Sequence, residues 1–139
     1  MSLEHIQPKG LFKSEPLGFT QVVTSPPGKL VFISGQVGWD ENMKIVGPGD
    51  LGAQALQAVR NLEQALAAVG ATFEHLAHVR VYVPNYTSAC LKALGPALGA
   101  LKGQGKPAAQ TLIGVQSLAM PELLIEIEAT AVLPEGLPA

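Results

Sequence analysis

The chain has 139 residues, a formal net charge of −2, and only 14% charged residues. This length is typical of one domain with a single hydrophobic core, and a hydrophobic content of 47% argues against disorder. The single cysteine, Cys90, excludes an intrachain disulfide and any metal site built from several cysteines. The low charge suggests that other subunits cover part of the surface.

The distribution of apolar and basic residues bears on membrane and nucleic-acid partners. No apolar run approaches the roughly 18 residues that cross a membrane, and the N-terminal residues lack a basic segment followed by an apolar stretch. We therefore expect a cytoplasmic protein with no membrane partner. Nine lysines and arginines are scattered among eleven acidic residues, so a nucleic-acid partner is not expected either.

The first third of the chain predicts short extended elements. Residues 1–20 contain two prolines and two glycines and predict an irregular segment. A short strand is predicted over 21–24, followed by a proline-rich turn. The apolar, β-branched stretch over 29–36 is typical of a buried strand. A loop is expected over 38–50.

The middle of the chain predicts an amphipathic helix. Asp50 has the chemistry of an N-cap, and Gly70 fits the left-handed position after a helix of about 19 residues. Apolar residues recur at spacings of three and four along one face: Leu51, Ala55, Val59, Leu62, Leu66 and Val69. The polar side chains expected to face water are Gln54, Gln57, Asn61 and Gln64.

The second half predicts three strands and another helix. A strand is expected over 76–83, where strict alternation gives two faces. Thr87 is expected to cap a second helix, in which Pro96 should remove a backbone hydrogen bond and cause a kink near Lys92. Two further strands are predicted over 110–116 and 123–133. One face of the strand over 76–83 would carry Leu76, His78, Arg80 and Tyr82.

This order of elements predicts one α+β domain over residues 1–139, with a mixed sheet and both helices on one face. The other face is expected to mix aromatic, charged and polar side chains, as subunit interfaces do. Its predicted residues are Phe32, Ser34, His78, Arg80, Tyr82, Glu126, Glu128 and Thr130.

Four segments carry a family resemblance, which covers about residues 15–133. They are Ser34-Gly35-Gln36, Ala67-Ala68-Val69-Gly70-Ala71, Val79-Arg80-Val81-Tyr82-Val83 and Ile125-Glu126-Ile127-Glu128-Ala129. In this order and spacing they resemble the RidA/YjgF family, the reactive-intermediate imine deaminases. The resemblance implies a chorismate-mutase-like fold and a homotrimer with a small-molecule ligand in each cleft between subunits. It also implies hydrolysis of imines or enamines to keto compounds and ammonia, without metal or cofactor.

The resemblance further implies the residues of a site. Glu126 matches the family glutamate that positions or activates water, and we expect it to be catalytic. The expected substrate-binding residues are Phe19, Ser34, Gly35, Gln36 and Gln110. Gln110 occupies the position of the family arginine that binds the substrate carboxylate. A carboxamide can donate hydrogen bonds but is neutral, so this chain resembles a branch without the arginine and its specificity is expected to differ.

Two other functions stay open. The neutral Gln110 is also compatible with a non-catalytic small-molecule binding or regulatory protein. An RNA-acting translation inhibitor or endoribonuclease, as some relatives have been labelled, is disfavoured by the acidic charge balance.

Several single residues have two interpretations. Arg80 either pairs with a glutamate at an interface or replaces the missing cation of the site. Trp39 either lines the mouth of the cleft or packs at an interface. His75 and His78 would point to opposite sides of a strand, which disfavours a metal site, and Cys90 is expected to be a packed residue.

Overall fold

The computed structural model describes residues 2–135, and this part of the chain forms six strands and two helices. In chain order they are β1 (Glu4–Ile6), β2 (Val22–Thr24), β3 (Gly28–Val37), α1 (Leu51–Ala67), β4 (Leu76–Pro84), α2 (Cys90–Ala100), β5 (Ala109–Val115) and β6 (Glu126–Pro134). Two short 3-10 turns cover Glu15–Leu17 and Phe73–His75. Neither of the two helices is long and apolar enough to cross a membrane.

Four strands form a mixed sheet in the order β3-β6-β4-β5, in which only β4 and β5 are parallel. Parallel neighbours need a crossover, and α2 supplies it. Both helices pack on the same face of this sheet, where their apolar side chains form one core with the inward-facing strand residues. The predicted α+β architecture is therefore confirmed.

Helix α1 begins and ends largely as its sequence predicts. The Asp50 carboxylate accepts a hydrogen bond from the Ala53 backbone N–H at 3.0 Å, which satisfies a donor left free at the helix start. Gly70 follows the helix with a φ of 76°, and the Ala71 N–H bonds back to the Leu66 carbonyl at 2.9 Å. The helix has 17 residues, slightly fewer than expected.

The prediction that Gln54 faces water is wrong. Its side chain is fully buried and its amide nitrogen donates to the carbonyls of Gly47, at 3.3 Å, and Glu122, at 3.1 Å. Its amide oxygen accepts from the Leu124 N–H at 3.0 Å. Gln54 thus provides hydrogen-bond partners for backbone groups of two loops that are not paired within the sheet. These hydrogen bonds explain why a polar side chain is buried in the protein interior.

Two local expectations also differ from the structure. The N-terminal segment is not irregular throughout, because β1 pairs antiparallel with β2. Thr87 does not cap α2; the N-cap is Ala89, which makes no side-chain cap bond. Pro96 lies inside α2, where the sequence places it.

Leu76 is a third local difference. It lies in the core rather than beside His78, because the pairing of β4 with β6 shifts by one residue between these two positions. An extra residue in one strand reverses the alternation of faces at that point.

Candidate functional site

A bulge interrupts β3 at the segment that carries the resemblance. Ile33 pairs with Ala129 and Gln36 pairs with Ile127, so residues 34–35 add one residue to β3 relative to β6. A bulge of this kind bends the strand and redirects its side chains. Here the bulge places the backbone of β3 directly over the side chain of Glu126, the first residue of β6.

Gly35 and Glu126 are brought together by this bulge. A carbon added to Gly35 would lie 2.5 Å from Cδ and 2.6 Å from Cγ of Glu126, which is closer than side-chain atoms approach in proteins. Only glycine therefore leaves room for the carboxylate in its present position. Glu126 is partly buried, and within residues 2–135 its carboxylate has no hydrogen-bond or ion-pair partner.

The two neighbours of Gly35 point to different sides of the sheet. Ser34 is exposed, whereas Gln36 is paired with the buried Ile127 and lies toward the helix-covered face. The Gln36 amide donates to the Ser34 carbonyl at 3.0 Å, which holds the bulge in shape. The structure therefore brings Ser34, Gly35 and Glu126 into one region, whereas the Gln36 side chain points to the opposite face of the sheet.

Gln110 does not join this region within one chain. It lies on β5 opposite Val79, while Glu126 lies on β6 opposite Tyr82. Two strand spacings and three residues along the strand separate them, which is roughly 10 Å in each direction. Gln110 also shares the face of the buried Val79, whereas Glu126 projects from the face that the helices leave uncovered.

Phe19 lies at the same edge of the sheet as Gln110. The adjacent Thr20 forms a parallel bridge with Ala109, and its hydroxyl donates to the Pro107 carbonyl at 2.6 Å. The ring of Phe19 packs edge-on against Phe12, with ring centroids 6.0 Å apart. The predicted site residues thus form two groups at different edges of one sheet.

The uncovered face carries the polar cluster that its alternation predicts. Tyr82 donates its hydroxyl proton to the Glu128 carboxylate, and Arg80 lies 3.6 Å from the same carboxylate oxygen. The hydrogen bond to Glu128 is the main reason why the pKa of Tyr82 is raised above its usual value. Arg80 is therefore paired with Glu128 within one chain.

The two histidines singled out in the sequence lie in different settings. The His75 Nδ1 accepts from the Thr72 N–H at 2.9 Å and closes a capping box. Burial lowers the pKa of His78, and the nearby Arg80 charge adds to this effect. Among residues 2–135, no group of three potential metal ligands is found.

Trp39 lines a cavity of about 610 Å³ between the end of β3, the following loop and α1. The other lining residues are Gln36, Asp40, Glu41, Gln57, Asn61 and Gln64. Sequence reasoning singled out the tryptophan but missed its partners. The available signal was the spacing of Gln57, Asn61 and Gln64, which puts three carboxamides on one stripe of a helix.

Fold and site together define a small α+β protein with a carboxylate beneath a glycine bulge. Residues 13–133 match the family described as endoribonuclease L-PSP. The chain therefore belongs to the RidA/YjgF/L-PSP family.

Known structures support this assignment. A Yersinia pestis protein of unknown function from the conserved Rid family, YyfB, is 44% identical, with a TM-score of 0.92 over 96% of this chain and 100% of that chain. Rv2704 of Mycobacterium tuberculosis, from the YjgF/YER057c/UK114 family, is 27% identical, with a TM-score of 0.61 over 95% of this chain and 100% of that chain.

A curated relative matches a shorter stretch. Protein DfrA of Myxococcus xanthus is 33% identical over 67 residues, which are 48% of this chain and 51% of DfrA. The match therefore spans about half the length of that relative.

Proposed function

We propose that this chain forms a homotrimer that hydrolyses imines or enamines of small metabolites in clefts between its subunits. Water adds to the carbon of the C=N bond, the carbonyl forms, and nitrogen leaves as ammonia. The observation that carries this proposal is the Glu126 carboxylate beneath Gly35, because it is unpaired within the described chain and accessible beside a strand bulge. A carboxylate so placed can accept a proton from the attacking water.

The separation of the two residue groups supports a site between subunits. Phe19 and Gln110 lie at the β5 edge, whereas Gly35 and Glu126 lie toward the β3 edge. A cleft that contains all four needs the β5 edge of one subunit near the β3 edge of the next. Exposed apolar side chains on the uncovered face also favour assembly; Phe32 is 76% exposed and Leu30 is 59% exposed.

Gln110 sets the expected specificity. In the family pattern an arginine binds the substrate carboxylate, and loss of such a charge-assisted contact costs about 2–5 kcal/mol, or roughly 30- to several-thousand-fold in efficiency. A neutral carboxamide pairs better with a carbonyl or hydroxyl group. We therefore expect substrates without a carboxylate at this position to be preferred.

Imine turnover tests the proposal. An amino-acid oxidase generates 2-imino acids, semicarbazide traps what survives, and a neutral imine is compared under the same conditions. We expect the protein to lower the trapped fraction, more strongly for the neutral imine, and Glu126→Gln to abolish the effect. Glu122→Gln is the matched control, because Glu122 is exposed and its side chain has no assigned role. Turnover that survives Glu126→Gln contradicts the assignment of Glu126.

A second candidate is a binding protein that uses the same clefts without turnover, and the neutral Gln110 favours it. Here the unmodified protein would be inactive on both imines, while Gln110→Arg would gain activity on 2-imino acids. Sedimentation equilibrium tests the assembly separately, and a monomer at micromolar concentration would contradict the intersubunit cleft.

A further inference from the structure

The Trp39 cavity is separate from the proposed catalytic cleft. Gln36, which lines it, points to the helix-covered side of the sheet, whereas the Glu126 carboxylate projects from the uncovered side. The cavity, of about 610 Å³, is large enough for a small metabolite. A ligand here would not touch the reacting groups around Glu126.

The lining of this cavity has a consistent chemistry. Apart from Trp39, every lining residue ends in a carboxylate or a carboxamide, and none is a lysine or arginine. Asp40 and Glu41 give the lining a formal charge of −2. The indole adds an electron-rich face, which attracts cations. The cavity is thus suited to a positively charged ligand and unsuited to an anion.

The walls of the cavity are held rigidly. The Asn61 amide donates to the backbone carbonyls of Val37 and Trp39, both at 2.9 Å, which ties the tryptophan backbone to α1. One Asp40 carboxylate oxygen accepts from the Asn42 N–H at 2.8 Å and the Lys44 N–H at 3.1 Å. A preformed site loses less entropy when it binds a ligand.

We propose that this cavity binds a small organic cation, such as an aliphatic amine in its protonated form. The ammonium group would lie over the Trp39 indole and beside Glu41, whose carboxylate has no hydrogen-bond or ion-pair partner among the described residues. The carboxamide of Gln64 offers a further oxygen acceptor for its N–H groups, whereas the Gln57 oxygen already accepts from the Arg60 guanidinium at 3.3 and 3.1 Å. The site and its ligand class are independent of imine turnover.

Tryptophan fluorescence tests this proposal directly, because Trp39 is the only tryptophan in the chain. Putrescine is the probe and 1,4-butanediol its neutral analogue of equal length, at constant ionic strength. We expect putrescine to change the emission saturably, with half-saturation near or below about 1 mM, and the diol to have no saturable effect. An equal response to both would overturn the proposal, as would a putrescine response that does not saturate.

Variants locate the bound cation. Glu41→Gln should raise the half-saturating concentration about threefold or more, as expected for loss of one partly exposed charge pair. Glu63→Gln is the matched control, because Glu63 lies on α1 but lines a different cavity, and it should leave binding unchanged. Equal effects of both variants would show a nonspecific charge effect and contradict the site. Glu126→Gln should bind putrescine as tightly as the unmodified protein does. The test of the cation site is therefore independent of the test of imine turnover.

Discussion

A side-chain carbon on Gly35 would overlap the Glu126 side chain, because the β3 bulge lays the glycine backbone directly over it. The two residues lie on neighbouring strands, 91 positions apart in the sequence. The position of the carboxylate therefore depends on the absence of a side chain at residue 35. This relationship can be tested without assuming any reaction.

Gly35→Ala should displace the Glu126 carboxylate while the protein still folds. The φ of Gly35 lies outside the left-handed region, so the backbone accepts alanine, and the atoms in the way belong to a flexible side chain. We expect a loss of roughly 1–2 kcal/mol in stability and a new Glu126 rotamer. Thermal unfolding and a crystal structure of the variant measure these two effects.

If Glu126 handles water in imine hydrolysis, Gly35→Ala should reduce turnover about as much as Glu126→Gln does. Ser34→Ala, next to the same bulge but exposed, serves as the comparison and should leave the Glu126 rotamer unchanged. An unmoved Glu126 in the Gly35→Ala structure would contradict the steric argument.

The fold could be predicted because it follows from the periodicity of apolar residues along the strands and helices. The alternation of β4 and the three-and-four spacing of α1 determine which side chains meet the core. The site was predictable only in part. Spacing and resemblance point to Gly35 and Glu126, but no pattern shows that Gln110 lies two strands away and on the other face. That separation follows from strand order, which is a long-range property of the sheet.

Gln54 shows a second limit of sequence reasoning. On a helical wheel it falls on the polar side of α1, yet it is fully buried. The loops around Gly47 and Glu122 close over this side of the helix and supply its partners. The position of such loops depends on the whole fold, so periodicity within α1 could not have indicated the burial.

Gln54→Leu should destabilise the protein by roughly 2–4 kcal/mol. Leucine has a similar volume but leaves the Leu124 N–H and the Gly47 and Glu122 carbonyls without their buried partner, and each such group costs about 1–3 kcal/mol. Chemical denaturation measures the change. Gln64→Leu, at an exposed position of the same helix, should change stability by less than about 0.5 kcal/mol. Similar losses in both variants would contradict the role of Gln54.

Glu128 should control the ionisation of Tyr82. The hydrogen bond to Glu128 is the largest cause of the raised Tyr82 pKa, since ionisation would place a phenolate beside a carboxylate. Glu128→Gln should therefore lower the pKa of Tyr82 toward its usual value of 10.0. The absorbance of tyrosinate during an alkaline titration measures this in a Tyr86→Phe background, where Tyr82 is the only tyrosine.

A control variant in the same titration tests whether the effect on the Tyr82 pKa is specific to Glu128. Glu122→Gln removes an equal charge from an exposed position and should leave the Tyr82 titration where it was. If Glu128→Gln also leaves it unchanged, the contact between the hydroxyl and the carboxylate does not persist in solution.

His78 should make stability fall on mild acidification. Burial, and then the Arg80 charge, lower the pKa of His78 below 6.5, while Glu128 partly opposes this. The folded chain consequently binds fewer protons than the unfolded chain just below pH 6.5, so stability is full above this value and decreases as the pH falls through the window beneath it. Thermal unfolding midpoints at about pH 7.5 and about pH 5.5, at fixed protein concentration, should show this decrease.

His78→Gln should reduce the difference between the two midpoints, because the variant has no proton to bind at this position. His5 also has a lowered pKa, caused mainly by burial, and contributes in the same direction. The double variant with His5→Gln should therefore lose more of the pH dependence than His78→Gln alone. A midpoint difference that is the same in the unmodified protein and in both variants would contradict the role of the two histidines.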